Sequence, residues 1–333
     1  MTARFFPGTV GEAYRIVQKE TCPMTMPAAL KGRLRLPVIA APMFLVSGPE
    51  LVIACCNAGV IGTFPSLNAR PIEQLDGWLQ DMEKRRTPDA APFGVNLIVH
   101  RSNSRLAEDT ALVVAHQVPI VITSVGHPGD IVAQVHAYGG LVFHDVINMR
   151  HAQKAIEAGV DGIIAVCAGA GGHAGQLSPF AFIPKLREQF DGAIILAGSM
   201  SDGKGVRAAE ILGADFAYLG TRFIATRESM ADQAYKEMIV QSDISDIVYT
   251  DQVSGIMGNF LAPSLAAAGV DPTPGAVAKS VDMDLSMRET GEKKKGKAWK
   301  SIWSAGQGVG GISDCPSVQD LVDKLAADYE NAG

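Results

Sequence analysis

The sequence predicts a single closed barrel of eight parallel β-strands, each followed by a helix. Over the first two-thirds of the chain, short runs of Val, Ile, Leu and Ala alternate with longer segments in which apolar residues recur every three or four positions. This alternation is typical of repeated βα units. The runs are apolar throughout, as expected of strands covered by helices outside and by a barrel interior inside. The predicted fold class is therefore α/β, a TIM (β/α)8 barrel.

The predicted elements follow one another in a regular order. Residues 157–163 and 211–217 share one local pattern, in which a helix end is followed by a glycine, an acidic turn and a strand. Gly59, Gly159 and Gly213 are the expected helix stops. The clearest predicted helices are residues 49–58, 72–84, 151–158 and 205–212. The predicted strands are residues 38–43, 59–64, 93–99, 120–125, 141–146, 162–167, 193–198 and 216–221.

The regular pattern stops after about Arg227. A barrel with an insertion accounts for the 333 residues of the chain without a second independent domain. We expect residues 1–226 and 301–333 to form the barrel with a returning C-terminal segment. Residues 227–300 are expected to form a helical insertion, or lid, over the barrel mouth. The lysine run at 293–295 is interpreted as a solvated loop, with a contact to a nicotinamide cofactor as the alternative.

Composition limits the classes of partner. A formal net charge of −6 gives no broad basic surface, which argues against nucleic acid and anionic membranes. No apolar run is long enough to span a membrane and the N-terminus lacks signal-peptide features, so a cytoplasmic protein is expected. The five cysteines fall in no zinc-binding spacing, and no metal site is expected. Small-molecule chemistry is the remaining expectation, and a homodimer is left open.

Two glycine turns follow the seventh and eighth predicted strands. They are Ala197-Gly198-Ser199 and Leu219-Gly220-Thr221. In TIM barrels the loops at these two positions often hold a phosphate, because glycine lets backbone N–H groups approach and a helix start adds a positive dipole. Glycine also follows strands for purely steric reasons. Because both turns contain it, the pattern favours a phosphate that belongs to a cofactor or substrate.

The loop after the sixth predicted strand is the most distinctive segment of the sequence. Residues 167–175 read CAGAGGHAG, so glycines surround a single histidine, His173. Such a loop has little side-chain bulk, and a planar ligand can approach its backbone while the imidazole points into the space. An imidazole at the barrel mouth also suits proton transfer. The plainer alternative is a flexible turn with an incidental histidine.

These motifs together resemble the nitronate monooxygenase family, formerly called 2-nitropropane dioxygenases, and the related FMN-dependent enoyl-acyl carrier protein reductases. The resemblance runs from Leu36 to Arg227 through APM, GVNL, GAGGHAG, AGSMSDGKGV and LGTRF, with WSAGQ at 303–307. It implies FMN as cofactor and His173 as the catalytic residue. The cofactor-binding positions that it implies, including one strand-end histidine, are Ala41, Pro42, Met43, Asn96, His144, Val166, Gly171, Gly172, Ala197, Gly198, Ser199, Tyr218, Leu219, Gly220, Thr221 and Gln307.

The sequence departs from the family pattern at two positions. Relatives often have glutamine where this chain has Val166, and some quinone reductases of the group have a flavin-contacting lysine where this chain has Asp145. A carboxylate there opposes the anionic reduced ring, which disfavours quinone reductase activity. A shift of one position would make His144 the relevant group. A strand-end histidine that bonds only to backbone is the alternative for His144.

The resemblance implies oxidation of alkyl nitronates, and of nitroalkanes, with O2 to carbonyl compounds and nitrite. His173 would act as general base or would orient the substrate. One alternative is an NAD(P)H-dependent flavin reductase that acts on a quinone or an enoyl thioester. Another is a non-catalytic barrel that binds a phosphate ligand or a flavin.

Overall fold

The structure is a computed structural model, and it describes residues 26–271, 273 and 301–332. Eight parallel strands close into a barrel, in which each strand pairs with the next barrel strand along the chain and the last pairs with the first. This confirms the predicted fold class, and each predicted strand overlaps a barrel strand. The barrel strands are β1 (Val38–Ala40), β2 (Ile61–Pro65), β3 (Phe93–Ile98), β4 (Ile120–Ser124), β5 (Leu141–Val146), β6 (Gly162–Val166), β8 (Ala193–Ala197) and β9 (Phe216–Leu219).

Helices surround the barrel and connect its strands. Each predicted helix overlaps one of them. They are α1 (Pro49–Asn57), α2 (Glu73–Arg85), α3 (Leu106–Ala115), α4 (Ile131–His136), α5 (Met149–Glu157), α6 (Pro179–Arg187), α7 (Gly203–Leu212) and the short α8 (Thr221–Ile224). Short 3-10 helices occur at Ala28–Leu30, Ser66–Asn68, Ile244–Asp246 and Gln307–Gly311.

The predicted glycine stops have left-handed backbone conformations. Gly59, Gly159 and Gly213 have φ values of 89°, 78° and 102°. Gly213 is the C-cap of α7. At the other end of this helix, the side chain of the N-cap residue Asp202 accepts a hydrogen bond from the Gly205 N–H. Glycine reaches this conformation without a Cβ clash, so each helix ends where the sequence places the glycine.

Barrel side chains alternate between an inner and an outer core. In β4, Ile120 and Ile122 point into the barrel interior, while Val121 packs outside against the helices. In β5, Phe143 points inward and Val142 outward. Successive side chains of a strand point to opposite faces, so both faces of these strands are buried in different apolar layers. This explains why the strands read as continuous apolar runs.

The segment after residue 226 is not purely helical, which corrects one prediction. Its described part contains two helices, α9 (Gln233–Gln241) and α10 (Ala262–Ala267), and two strands, β10 (Ile247–Thr250) and β11 (Gly258–Leu261). These strands join the two-residue β7 (Gly172–His173) in a small antiparallel sheet. Strand pairing with a loop of the barrel gave no periodic signal in the sequence. The lysine run at 293–295 lies outside the described residues.

The C-terminal segment returns to the barrel as helix α11 (Val318–Glu330). It packs against α1 and α7, and its residues Leu321, Val322 and Leu325 are buried in the outer core. The contact with α7 is close, because a Cβ added at Gly203 would overlap the Leu325 carbonyl oxygen. Among the described residues, no helix combines the length and apolarity needed to cross a membrane.

The close packing of α11 on α7 can be tested with two glycine variants. Gly203→Ala is expected to lower the free energy of unfolding by roughly 1–3 kcal/mol, because backbone cannot move aside as a side chain can. Gly77→Ala, in α2 with nothing within 4 Å of the added Cβ, is expected to raise that free energy by up to about 1 kcal/mol. Urea unfolding of both variants measures the difference, and equal stabilities would contradict the packing.

Candidate active site

A cavity of about 280 Å³ opens at the carboxyl ends of the barrel strands. Side chains and backbone from the loops after the barrel strands line it together with the returning segment at 302–308. It brings together most of the residues that the sequence predicted for the site. These are Ala41, Pro42, Met43, Asn96, Val166, Gly171, Gly172, His173, Ala197, Gly198, Ser199, Tyr218, Gly220 and Thr221.

The inward-facing ends of the strands form the floor of the cavity. Asn96, Ser124, Asp145, Val166 and Tyr218 lie on five different strands, and all five line the cavity. The Asn96 Nδ2 donates a hydrogen bond to Ser124 Oγ (2.7 Å), and Ser124 Oγ donates to Asp145 Oδ2 (2.6 Å). A polar chain therefore crosses three neighbouring strands at the bottom of the cavity.

His144 is predicted as a cofactor contact, but it does not line the cavity. It follows Phe143, which points inward, so its own side chain points to the outer face of the barrel. There its Nδ1 is 2.7 Å from Thr123 Oγ1. Burial, with smaller contributions from His127 and His151, lowers the pKa of His144 to about 4. The residue at this strand end that faces the cavity is Asp145.

The loop after β1 is held against the cavity by two polar side chains. Ser47 Oγ accepts a hydrogen bond from the Met43 N–H (3.0 Å), and Asn68 Nδ2 donates to the Met43 carbonyl oxygen (2.9 Å). Asn68 Oδ1 also accepts from the N–H of Leu45, whose φ of 61° is unusual for a leucine. These bonds support the turn that presents residues 41–43 to the cavity.

The glycine-rich loop after β6 is fixed by the segment that follows the barrel. Its residues Gly172 and His173 pair with β11, and Asn259 Nδ2 donates to the Ala170 carbonyl oxygen (2.6 Å). On its other side the Gln307 N–H donates to the Gly169 carbonyl oxygen (2.9 Å). The loop is therefore an ordered wall held from two sides, which contradicts the alternative of a flexible turn.

His173 is a half-buried residue of this wall and lines the cavity. Its Nε2 is 2.9 Å from Ser254 Oγ, and Ser254 lies in the segment between β10 and β11. Burial lowers the pKa of His173 to about 4, so the imidazole is neutral near pH 7. A neutral imidazole can accept a proton or hydrogen-bond an anion.

The two glycine turns follow the neighbouring strands β8 and β9, and the turn at Gly198 lies beside the glycine-rich loop. Gly198 has a φ of 129°, and a Cβ there would be 2.9 Å from the Ala168 carbonyl oxygen. Ser199 follows with a φ of 59°, a left-handed conformation that is uncommon outside glycine. Within the described chain, the backbone N–H groups of Ser199 and Thr221 donate to no other residue. Both turns therefore offer donors to a ligand.

Two further predicted contacts, Leu219 and Gln307, lie outside the cavity lining, and their roles as cofactor contacts stay predictions. Leu219 points outward into the core between barrel and helices, because it alternates with the inward-facing Tyr218. The exposed Gln307 side chain lies beside Ser199, with 3.5 Å between its Oε1 and Ser199 Oγ. The Gln307 side chain thus contacts the cavity-lining residue Ser199, and the neighbours of Gln307, Gly306 and Gly308, line the cavity themselves.

Apolar side chains cover the rest of the cavity. Phe44, Val46 and Ile224 line it, and Tyr235 and Trp303 add two stacked rings whose centroids are 5.0 Å apart. The cavity thus combines an apolar wall with a few convergent polar groups, as small-molecule sites do.

The sequence did not identify several residues that shape the site. Ser254, Asn259 and Tyr235 lie in the segment after the barrel repeats, where no periodic pattern indicated a structure. Ser254 contacts a residue 81 positions earlier in the chain. A sequence without an alignment gives no signal for such a contact.

A (β/α)8 barrel with two glycine turns and a neutral imidazole in one cavity at the carboxyl ends of its strands has the features of a barrel that binds a small molecule there. The profile of the nitronate monooxygenase family matches residues 30–328. The chain therefore belongs to the nitronate monooxygenase family, a family of oxidoreductases.

Curated relatives and solved structures agree with this placement. The nitronate monooxygenase of Paraburkholderia phytofirmans is 27% identical over 89% of this chain and 93% of its own length. A (3aS,4S,5R,7aS)-5-hydroxy-7a-methyl-1-oxo-octahydro-1H-indene-4-carboxyl-CoA dehydrogenase of Rhodococcus jostii is 25% identical over 88% of this chain and 92% of its own.

Two solved structures share the fold. FabK from Thermotoga maritima is 24% identical with a TM-score of 0.74, covering 90% of this chain and 94% of its own. The nitroalkane oxidase from Streptomyces ansochromogenes is 22% identical with a TM-score of 0.74, covering 92% and 99%.

The neutral state of His173 has a consequence for stability against pH. The pKa of His173 is about 4 in the folded protein, whereas without burial it is 6.5. Between these pH values the unfolded chain binds a proton that the folded protein does not. This difference leaves the free energy of unfolding unchanged above about pH 6.5 and lowers it as the pH decreases towards 4. His173→Gln is expected to reduce this acid-dependent loss. Urea unfolding at several pH values measures it, and identical pH dependence in both proteins would contradict the lowered pKa.

Proposed function

We propose that this chain is an FMN-dependent nitronate monooxygenase that oxidises alkyl nitronates, and nitroalkanes, with O2 to carbonyl compounds and nitrite. The observation that carries the proposal is the position of a half-buried, neutral His173 in the same cavity as the two glycine turns at Gly198 and Gly220. A phosphate cradle and a proton acceptor then serve one ligand pocket. FMN, when bound, supplies the electron-transfer chemistry with O2.

The glycine turns fit the phosphate of FMN. Support comes from the N–H groups of Ser199 and Thr221, which have no acceptor in the described chain, and from the Ser199 hydroxyl beside them. The absence of a Cβ at Gly198 lets this turn pack closely against the Ala168 carbonyl oxygen of the glycine-rich loop. The described cavity lining contains no Lys or Arg, so backbone donors would hold the phosphate.

The floor and the first loop fit the flavin ring. Ala41, Pro42 and Met43 would lie along one edge of the ring, with Val166 and Gly171 against it. Support comes from two buried polar atoms in the lining, Asp145 Oδ1 and the Tyr218 hydroxyl, which have no partner among the described residues. A ligand with polar edges would satisfy them.

His173 would hold the proton of the reaction. With a neutral nitroalkane, the imidazole accepts the acidic carbon-bound proton, and the resulting imidazolium pairs with the nitronate anion. With an ionised nitronate, the imidazole orients the anion through a hydrogen bond. The anion favours the imidazolium, and so offsets the burial that lowers the pKa of His173.

The aromatic wall would exclude water from the reacting atoms. Trp303 and Tyr235 stack at an interplanar angle of 8°, and the Tyr235 hydroxyl donates to the Ser304 carbonyl oxygen. A rigid apolar wall strengthens electrostatic interactions inside the cavity, because it lowers the local dielectric constant.

Replacing the imidazole tests the proposal. His173→Ala is expected to retain bound yellow FMN and to lose turnover of neutral nitroalkanes by roughly 10²–10⁴-fold, because a positioned base contributes about that factor. Turnover of preformed nitronates should fall less. Oxygen consumption with both substrate forms measures the difference.

His144→Gln is the matched control, because His144 is also a histidine with a lowered pKa, but lies outside the cavity. This variant should keep the turnover of the unaltered protein. Undiminished nitroalkane turnover in His173→Ala would refute the proton-acceptor role.

Ser254 should act as a positioning residue for His173. Ser254→Ala removes the hydroxyl that contacts the imidazole, and kcat is expected to fall roughly tenfold, about 1.4 kcal/mol, with little change in KM. Ser254→Thr keeps the hydroxyl and should restore most of the loss. Steady-state kinetics separates kcat from KM, and an equal effect of both variants would argue against positioning through the hydroxyl.

A flavin reductase that acts on a thioester is the second candidate. The Rhodococcus jostii relative, a carboxyl-CoA dehydrogenase by name, favours this substrate class. The carboxylate of Asp145 in the cavity floor disfavours a quinone reductase, because it opposes negative charge on the ring. Anaerobic mixing with NADH and NADPH distinguishes the candidates, since rapid bleaching of the flavin favours the reductase.

A further inference from the structure

The cavity floor contains two polar atoms that the described residues leave without hydrogen bonds. They are Asp145 Oδ1 and the Tyr218 hydroxyl, and both are buried. Such atoms are rare in folded proteins, because they lose their bonds to water without replacement. The pKa of Tyr218 is raised well above its ordinary value, first by burial and then by the charge of Asp145. The two side chains are therefore close enough to interact, and both belong to the cavity lining.

The hydrogen-bond chain at the floor determines which oxygen of Asp145 meets a ligand. The Asn96 Nδ2 donates to Ser124 Oγ at 2.7 Å and to the Ile122 carbonyl oxygen at 3.2 Å. Since Ser124 already accepts from Asn96, its own hydrogen is free for Asp145 Oδ2, which lies at 2.6 Å. Oδ2 is thus an acceptor in either protonation state. A proton on this carboxyl group belongs on Oδ1.

Asp145 lies in surroundings that let it change charge near neutral pH. Burial raises its pKa from 3.8 to about 6, against the opposing effect of the Ser124 hydrogen bond. The groups that face it are Ser124 and, beyond it, Asn96, both neutral, and the Tyr218 phenol. His173 lines the same cavity, but its pKa of about 4 keeps it neutral in this pH range.

We propose that Asp145 is a redox-linked proton acceptor, whose Oδ1 takes up a proton from solvent when a flavin bound in the cavity is reduced and releases it when that flavin is oxidised. This inference rests on the proposed function, because it requires the flavin. Two electrons from the reductant and one proton from water would leave the ring with one negative charge, and a second proton from water enters the carboxyl group. The added negative charge disfavours the neighbouring carboxylate, and protonation removes that repulsion. The protonated Oδ1 then donates a hydrogen bond where the carboxylate could only accept one.

The pH dependence of the flavin midpoint potential tests this inference. Asp145→Asn has nearly the same shape and cannot take up the proton. Each proton bound per two electrons changes the potential by about 30 mV per pH unit. Above about pH 6, the potential of the unaltered holoprotein should therefore fall more steeply with pH than that of Asp145→Asn, by about 30 mV per pH unit. Below about pH 5 the two curves should run parallel, because Asp145 is then protonated in both redox states. Spectroelectrochemical titration from pH 5 to 9 with dithionite as reductant measures both curves.

Two further variants make the test specific. Ser124→Ala removes the hydrogen bond that lowers the pKa of Asp145, so the steeper region should begin at a higher pH. Asp191→Asn removes an exposed carboxylate that precedes β8 at the opposite end of the barrel. It matches the charge change of Asp145→Asn and should keep the unaltered slope.

The outcomes separate this inference from the proposed function. Equal slopes in the unaltered protein and Asp145→Asn, with flavin bound to both, would overturn the inference and leave the proposed function standing. A purified protein without flavin absorption, and with none gained after adding FMN, would overturn both. If Asp145→Asn binds no flavin, the Ser124→Ala variant decides. A steeper region that begins at the same pH as in the unaltered protein overturns the inference, and one that begins at a higher pH supports it.

Discussion

The alternation of side chains along the barrel strands is the constraint on which the site depends. A closed barrel gives each strand an inside and an outside, and each residue position belongs to one of them. The inner positions at the carboxyl ends supply Asn96, Ser124, Asp145 and Tyr218 to one floor. A shift of one residue would replace Asp145 by His144, which instead bonds Thr123 beneath the helices. Barrel closure therefore decides the charge of the floor.

The segment after the barrel completes the other half of the site. Its strand β11 pairs with Gly172 and His173, and its Ser254 contacts the imidazole. The returning C-terminal segment holds the same loop through the Gln307 N–H, which donates to the Gly169 carbonyl oxygen, and its Gly306 N–H donates to Thr221 Oγ1 after β9. The glycine-rich loop is thus positioned by chain that comes from outside the βα repeats. A loop with so little side-chain packing of its own requires such external support.

The electrostatics of the cavity follow from burial rather than from cations. No Lys or Arg belongs to the described lining, whose titratable groups include the neutral imidazole of His173 and the carboxyl group of Asp145 beside neutral amide, hydroxyl and phenol groups. Burial lowers the pKa of His173 to about 4 and raises that of Asp145 to about 6. A base and a potential acid are thereby kept in one cavity, because desolvation disfavours the charged form of each.

The sequence by itself determined the barrel, its glycine stops, the two glycine turns and the loop around His173, because each is encoded by neighbouring residues. Strand ends and helix stops depend on apolar runs and on glycine conformations that few residues share. The local sequence could not decide whether His144 or Asp145 faces the cavity, since both faces of a barrel strand are buried and only barrel closure separates them. Ser254 lies 81 residues from His173, and chain folding alone brings such distant side chains together. The tertiary structure therefore decided the partners and charges of the site, while the sequence decided its backbone.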